Sequence, residues 1–344
     1  MKACKNHEGS PFLVFSLDAD ETAGATMLGL FLTSVIAAPV GEADALALVE
    51  GHGAPVEIRS AASHPSTVLP FCPESYESGE GQLVKALHKE PRGLVLDVGA
   101  FDGTNAIEFA KAGHEVFSFE PSPSKRPLIE KAWRMSSVPP ADLRLFSMAL
   151  SNKSGTADFW VRRQYGGRSA VINSGELGSE QDMMGPKPSW PAERVEVPID
   201  TLDHIIGPTR RVLYAKIDAQ GYDADVIMGA KDLILSKRIQ TIAFELSIGL
   251  GGPGADEKYE NAARFLANSG YDCFDCGSGL GGTMRAAPST PLSVLLKNLK
   301  SSHFDFMGKD IGQWTDLVCV LRASSDQPSG GSSALSSGSD VDDQ

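Results

Sequence analysis

Leu96-Asp-Val-Gly-Ala-Phe-Asp-Gly-Thr-Asn105 is the stretch on which the reading of this chain turns. It follows the apolar run Gly93-Leu-Val-Leu-Asp-Val98, set off by Pro91 and Gly99. Continuous hydrophobicity over so short a run predicts a strand buried on both faces. Thr104 to Ala112 predicts a helix, with Thr104 as N-cap and Gly113 as the C-terminal stop. The stretch therefore joins a buried strand to a helix. Gly99 lets the backbone turn sharply and approach a ligand, because no Cβ intrudes, and Gly103 lets the loop enter the helix closely. Free N–H groups at the helix start suit a ligand carboxylate, and Asp97 suits its amino group or shapes the loop. Read without a ligand, the same loop is a tight strand–helix turn.

Outward from this loop, strands and helices alternate. His114 to Phe119 predicts a second strand, ending at Glu120-Pro121, and Ser124 to Met135 a helix with Pro127 in its tolerated first turn. Leu143 to Ala149 predicts a third strand and Arg211 to Ile217 a fourth, closing at Asp218. Val226, Ile227, Ala230, Leu233 and Ile234 form the apolar stripe of one helix. Thr241 to Glu245 predicts a fifth strand and Asp256 to Asn268 a helix stopped by Gly270. Thr156–Arg162 with Glu193–Ile199, and Tyr271–Cys276 with Thr315–Leu321, predict two antiparallel pairs. The alternation predicts an α/β, doubly wound, Rossmann-like sheet with helices on both faces and a C-terminal antiparallel hairpin. Ligands on such sheets bind beyond the carboxyl ends of the strands, where strand order switches.

Glu120 stands seventeen positions after Gly103, at the end of the second strand. An acid at about 20 positions accepts the ribose hydroxyls of an adenosine ligand. The dinucleotide fingerprint G-x-G-x-x-G is not met: Ala100 and Phe101 fill the space between Gly99 and Gly103. Asp97 and Asp102 would repel a pyrophosphate, whereas a donor carrying an amino group and a sulfonium tolerates them. The loop itself favours S-adenosyl-L-methionine, with Asp97, Gly99, Ala100, Phe101, Asp102, Gly103, Thr104, Asn105, Glu120, Ala149 and Asp218 as candidate cofactor residues.

Five segments in order resemble the FkbM-type methyltransferases, a branch of the class I enzymes. They are Leu96 to Asn105, Phe119-Glu-Pro-Ser-Pro123, Ala149 to Gly155 with Phe159, Ile199-Asp-Thr-Leu-Asp203, and Lys216-Ile-Asp-Ala-Gln-Gly-Tyr-Asp223. The resemblance implies a seven-stranded methyltransferase sheet and methyl transfer, often to a hydroxyl oxygen of a sugar or small metabolite. The family usually carries Glu where Gln220 and Asp223 stand, and the insertion from Gly277 to Trp314 has no clear counterpart there.

Transfer to a hydroxyl requires removal of a proton, so a base near the methyl group helps. By position the candidates are Asp218, after the fourth strand, and Glu245, in an apolar strand end. Lys216, on the strand beside Glu245, completes the catalytic set as the cation able to pair with it. His204 and Asp223 are less well placed, and no metal cluster stands out. Two other readings remain: a nicotinamide-dependent oxidoreductase, disfavoured by the missing glycine, and a non-catalytic nucleoside-binding module, which Gln220 keeps open.

The 344 residues carry a formal net charge of −13, which repels phosphate backbones, so no nucleic acid partner is expected; the small-molecule or glycan acceptor is what the resemblance implies. Residues 80–322 are the expected methyltransferase domain, 1–79 an irregular N-terminal extension, and 323–344 a disordered Ser, Gly and Asp tail. Residues 24–40 are apolar yet short for a span and lack a positive flank, so cytoplasmic placement is expected, with membrane anchoring or secretory entry through 24–40 as alternatives. The five cysteines are odd in number and lack metal-ligand spacing, so they are expected to be structural thiols rather than a disulfide scaffold.

Overall fold

Leu94 to Val98 is a strand with every residue buried, as its apolar run requires. The computed structural model describes residues 4–5, 11–12, 55–73, 81–162, 183–184, 192–251, 253–277, 289–301, 305–306, 309–310 and 314–323. The apolar segment 24–40 and the tail 324–344 lie outside them. Residues 1–38 and 39–344 are separate compact units. In the first, Cys4–Lys5 and Pro11–Phe12 pair antiparallel.

The second unit begins with β1 (Glu57–Ser60), α1 (Gln82–Leu87), β2 (Leu94–Val98), α2 (Thr104–Lys111), β3 (Glu115–Phe119), α3 (Arg126–Met135) and β4 (Leu143–Phe146). It continues through β5 (Ala149–Leu150), β6 (Gly155–Arg162), β7 (Ala192–Asp200), α4 (Leu202–Ile206), β8 (Val212–Ile217), α5 (Asp223–Met228) and α6 (Lys231–Leu235). It closes with β9 (Ile239–Leu246), α7 (Ala255–Asn268), β10 (Tyr271–Asp275), β11 (Ser289–Pro291), α8 (Leu292–Ser301) and β12 (Thr315–Leu321).

Among the described residues nine strands form one sheet, in the order β11-β1-β10-β12-β9-β8-β2-β3-β4. From β9 to β4 the pairs are parallel, and β12 runs antiparallel to both β9 and β10. The seven strands from β10 to β4 are the sheet expected from sequence, including the closing hairpin. The chain builds outward from β2 to β4, then returns to lay β8 on the other side of β2. That reversal puts the ends of β2 and β8 at the switch point.

Each face of the sheet packs its own core. Leu94, Leu96, Ile217 and Phe244 meet Val226, Leu233, Tyr259, Phe265 and Leu295 from α5 to α8 on one face. Val95, Val116, Tyr214, Ala243 and Val318 meet Leu83, Leu87, Ala106 and Phe109 from α1 and α2 on the other. Side chains alternate between faces along a strand, so β2 serves both cores from a five-residue run.

Several expectations need correction. The 55–73 segment is not irregular: Glu57–Ser60 pairs with β10 and β11 and extends the sheet by two strands. The third predicted strand divides, because Ala149–Leu150 leaves the main sheet to pair with β7. The stripe from Val226 to Ile234 is carried by two short helices. They part near Gly229, where a Cβ would lie 2.0 Å from the Ser151 carbonyl oxygen. Thr104 is the first helical residue rather than the cap. Gly103, at φ +83°, is the N-cap, and Asp102 Oδ1 accepts from Thr104 N–H at 2.9 Å.

The cysteines also differ from expectation. Cys72 is bonded to Cys276 and Cys273 to Cys319. The β10–β12 register puts Cys273 directly opposite Cys319, a proximity that sequence spacing does not show.

Candidate active site

The loop after β2 is shaped by its backbone before any side chain acts. Gly99 and Ala100 N–H both donate to the Phe119 carbonyl at 3.0 Å, tying the loop to the end of β3. Gly99 has φ +78°, and a Cβ there would sit 1.9 Å from the Asp218 carbonyl oxygen. Only glycine allows the turns after β2 and β8 to touch. Phe101 also adopts a left-handed conformation, at φ 55°. The loop then closes on Glu120: Phe101 N–H donates to Oε2 and Ser122 N–H to Oε1, each at 2.8 Å. The predicted ribose acid is thus 5% exposed and held rigidly against the glycine loop.

Asp97 stands beside this loop with no exposure. Neither carboxyl oxygen has a hydrogen-bond partner. Burial pushes its pKa up to about 6, opposed by Lys216 and reinforced by Asp218 and Glu120. The Ala106 N–H eases the shift without completing a hydrogen bond. A buried carboxylate lacking a donor is costly, and an ammonium group supplies what it lacks.

Lys216 pairs with Asp97 across the β8–β2 register and is 4% exposed. Its Nζ meets Asp218 Oδ2 at 3.0 Å, and Gln220 Nε2 donates to Asp218 Oδ1 at 2.6 Å. Burial raises the Asp218 pKa, but Lys216 and the Gln220 hydrogen bond outweigh it and hold the carboxyl below its usual range. Gln220 has φ 52° and Gly221 φ +93°, so the loop after β8 is also strained. The Gln220 Oε1 is buried with no partner.

Glu245 closes the row on β9. Burial, then the carboxylates of Asp218, Asp223 and Asp316, raise its pKa well above the usual value, and Lys216 opposes them. Asp316 lies directly opposite on β12, a neighbour visible only once the strand register is known. Asp223 is fully buried and accepts from Ala219 N–H and Gly221 N–H at 3.2 Å. Burial and Asp218 push it up to about 7. Its hydrogen bonds make Asp223 a brace for the loop after β8. His204 stands on the surface, its side chain 74% exposed and paired with Asp200 at 2.7 Å. Ala149 is buried in the smaller sheet, opposite Ile199.

A separate concavity of about 450 Å³, lined by Glu115, Arg126, Trp133, Arg144 and Arg210, opens near the amino ends of β3, β4 and β8. That is the opposite end of the strands from the glycine loop.

A doubly wound, mostly parallel sheet with a glycine loop at its switch point is the architecture of the class I methyltransferases. The methyltransferase FkbM domain matches residues 97–273, about half the chain, and the chain belongs to that family. S-adenosyl-L-methionine is its cofactor. Among curated proteins none matches. Similar solved structures include methyltransferase FkbM from Methylobacillus flagellatus, at 11% identity and TM-score 0.36, covering 66% of this chain and 43% of that one. A precorrin-6y C5,15-methyltransferase from Geobacter metallireducens matches at 12% identity and TM-score 0.31, over 69% and 86% of the two chains. A methyltransferase from Streptococcus mutans, described as putative and solved with S-adenosylhomocysteine, matches at 7% identity and TM-score 0.35, over 70% and 96%.

Proposed function

We propose that the chain transfers the methyl group of S-adenosylmethionine to a hydroxyl oxygen of a sugar or small metabolite. The observation that carries the donor site is Asp97: a fully buried carboxylate with no donor, beside a loop locked onto Glu120. In this reading Asp97 receives the donor's amino group and Glu120 its ribose hydroxyls. Gly99 and Ala100 to Asn105 form the wall between them, and Ala149 borders the base.

The bound cofactor supplies an activated methyl carbon with a sulfonium leaving group. The chain aligns the acceptor oxygen with that carbon, excludes water and removes a proton. Asp218 is a weak base, because Lys216 and Gln220 stabilise its anion; it serves as a fixed negative charge beside the sulfonium. Glu245 holds a proton more strongly and is the group assigned to take the hydroxyl proton. Lys216 keeps the acid row from repelling itself apart.

Glu245→Gln should lower turnover by at least about 100-fold while changing S-adenosylhomocysteine affinity less than about threefold. Wild-type turnover should rise with pH as Glu245 ionises, and the variant should lose that limb. Labelled-methyl transfer to a panel of methyl glycosides, with thermal-shift titration alongside, measures both. Unchanged turnover in the variant removes Glu245 as base. Donor binding without transfer to any hydroxyl would favour a non-catalytic role, and stabilisation by NAD instead would favour an oxidoreductase.

No helix among the described residues is long and apolar enough to cross a membrane. Two buried disulfides support maturation in an oxidising compartment rather than the cytoplasm. Alkylation of the native protein with and without reductant, read by mass, tests this: four cysteines should react only after reduction.

A further inference from the structure

The donor carries one anionic group, the carboxylate of its amino-acid end, and the glycine loop offers that group N–H donors but no cation of its own. At the helix start Asp102 Oδ1 takes the Thr104 N–H, so only the neutral N–H groups that follow it face a ligand there. Phe101 N–H is engaged by Glu120. The charged side chains next to the loop, Asp97, Asp102, Glu120 and Asp218, are anionic, and Lys216 is committed to Asp218.

Lys125 is the exception. The turn from Ser122 to Lys125, with Lys125 N–H donating to the Ser122 carbonyl at 3.2 Å, brings it to the start of α3. From there its side chain reaches back over the glycine loop, and Nζ lies 4.3 Å from the centroid of the Phe101 ring. No described carboxylate lies within ion-pair distance of it. Its charge also helps to hold the Asp218 carboxyl below its usual range. The Phe101 ring, fixed by the loop, gives the cation a resting surface.

We propose that Lys125 binds the carboxylate of the methyl donor's amino-acid end. The inference rests on the donor reading above. An ammonium on a flexible stem can leave a ring face for a carboxylate without disturbing the loop backbone. Together Asp97 and Lys125 would then read the two opposite charges of the amino-acid end.

The test uses two ligands that share a nucleoside and a sulfur. S-adenosylhomocysteine carries the amino-acid end, and 5′-methylthioadenosine lacks it. Calorimetric titration of the full chain should show Lys125→Met weakening S-adenosylhomocysteine binding about tenfold or more, while methylthioadenosine stays within about twofold. Lys125→Arg should keep both affinities within about threefold. Equal loss for both ligands, or none for either, overturns the assignment: the first would make Lys125 a support for Phe101. If Lys125→Met fails to fold, the wild-type chain still decides. Its preference for S-adenosylhomocysteine over methylthioadenosine should shrink as salt rises, and a salt-independent preference overturns the proposal. A wild-type chain that binds neither compound removes the donor reading itself, and this inference with it.

Discussion

Asp97 carries opposite consequences for folding and for binding. Its pKa stands at about 6 in the folded chain against 3.8 ordinarily, so ionising it costs folded stability. For an acid with a raised folded pKa, that contribution is most favourable below about pH 4 and is lost as pH rises to about 6. Asp223, pushed up to about 7, adds the same trend over a wider window. The ligand-free chain should therefore lose stability from about pH 4 to 7. Donor affinity should move the other way, since an ammonium favours the ionised carboxylate. Asp97→Asn should raise the melting temperature of the ligand-free chain by a few degrees and weaken S-adenosylhomocysteine about tenfold or more. Its binding should also lose the pH dependence between about 5 and 7; calorimetry at three pH values reads this, and an unaltered dependence would assign it elsewhere. Asp97 and Glu120 could be singled out in the sequence because both lie at short spacing around one loop, and the structure brings both to that loop. Asp316 and Lys125 were not: one depends on the β9–β12 register, the other on a turn that folds a lysine back over the loop.

At the scale of elements, the loop between β2 and α2 works only if two turns touch. Gly99 is where they do so. A methyl group there would meet the Asp218 carbonyl oxygen at 1.9 Å, and its φ of +78° disfavours any other residue. Gly113, at φ +97°, has nothing within 4 Å of a built Cβ. Gly99→Ala should cost about 3 kcal/mol or more and abolish stabilisation by S-adenosylhomocysteine. Gly113→Ala should cost about 1 kcal/mol, from backbone strain alone, and leave donor binding intact. Urea titration with and without ligand separates the two; equal effects would mean that Gly99 matters only for its conformation. The same local logic explains which elements the sequence announced. Buried strands, the alternation of β6 and β7, and the Gly270 stop after α7 are written in neighbouring residues. The break near Gly229 and the departure of Ala149 were not, because each is forced by a contact between segments far apart in the chain: a Cβ on Gly229 would strike the Ser151 carbonyl, and Ala149 pairs with Ile199.

Across the main unit, the segment before the methyltransferase domain is built into the sheet. Its β1 edge lies beside β10, Tyr214 donates from its hydroxyl to the Phe71 carbonyl at 3.0 Å, and Cys72 is bonded to Cys276. Cys276 N–H in turn donates to the carbonyl of Asp316, the residue facing Glu245. This N-terminal strap, residues 55–73, is thereby fastened beside the acid row. Cys72–Cys276 closes 204 residues of chain and Cys273–Cys319 closes 46, so the first constrains the unfolded chain more. Removing it with Cys72→Ala and Cys276→Ala should cost about 2–5 kcal/mol, lowering the melting temperature by about 5–15 °C. S-adenosylhomocysteine should still bind with near wild-type affinity at a temperature where the variant is folded, because Asp97, Glu120 and the loop belong to β2 and β3, several strands from the β10 end that carries the bond. Turnover should fall further than binding, since the bond anchors the strap beside Asp316 and Glu245. A variant that lost donor affinity in proportion to turnover would show the strap and the glycine loop to be one cooperative unit, and the separation of donor and acceptor sides would fail.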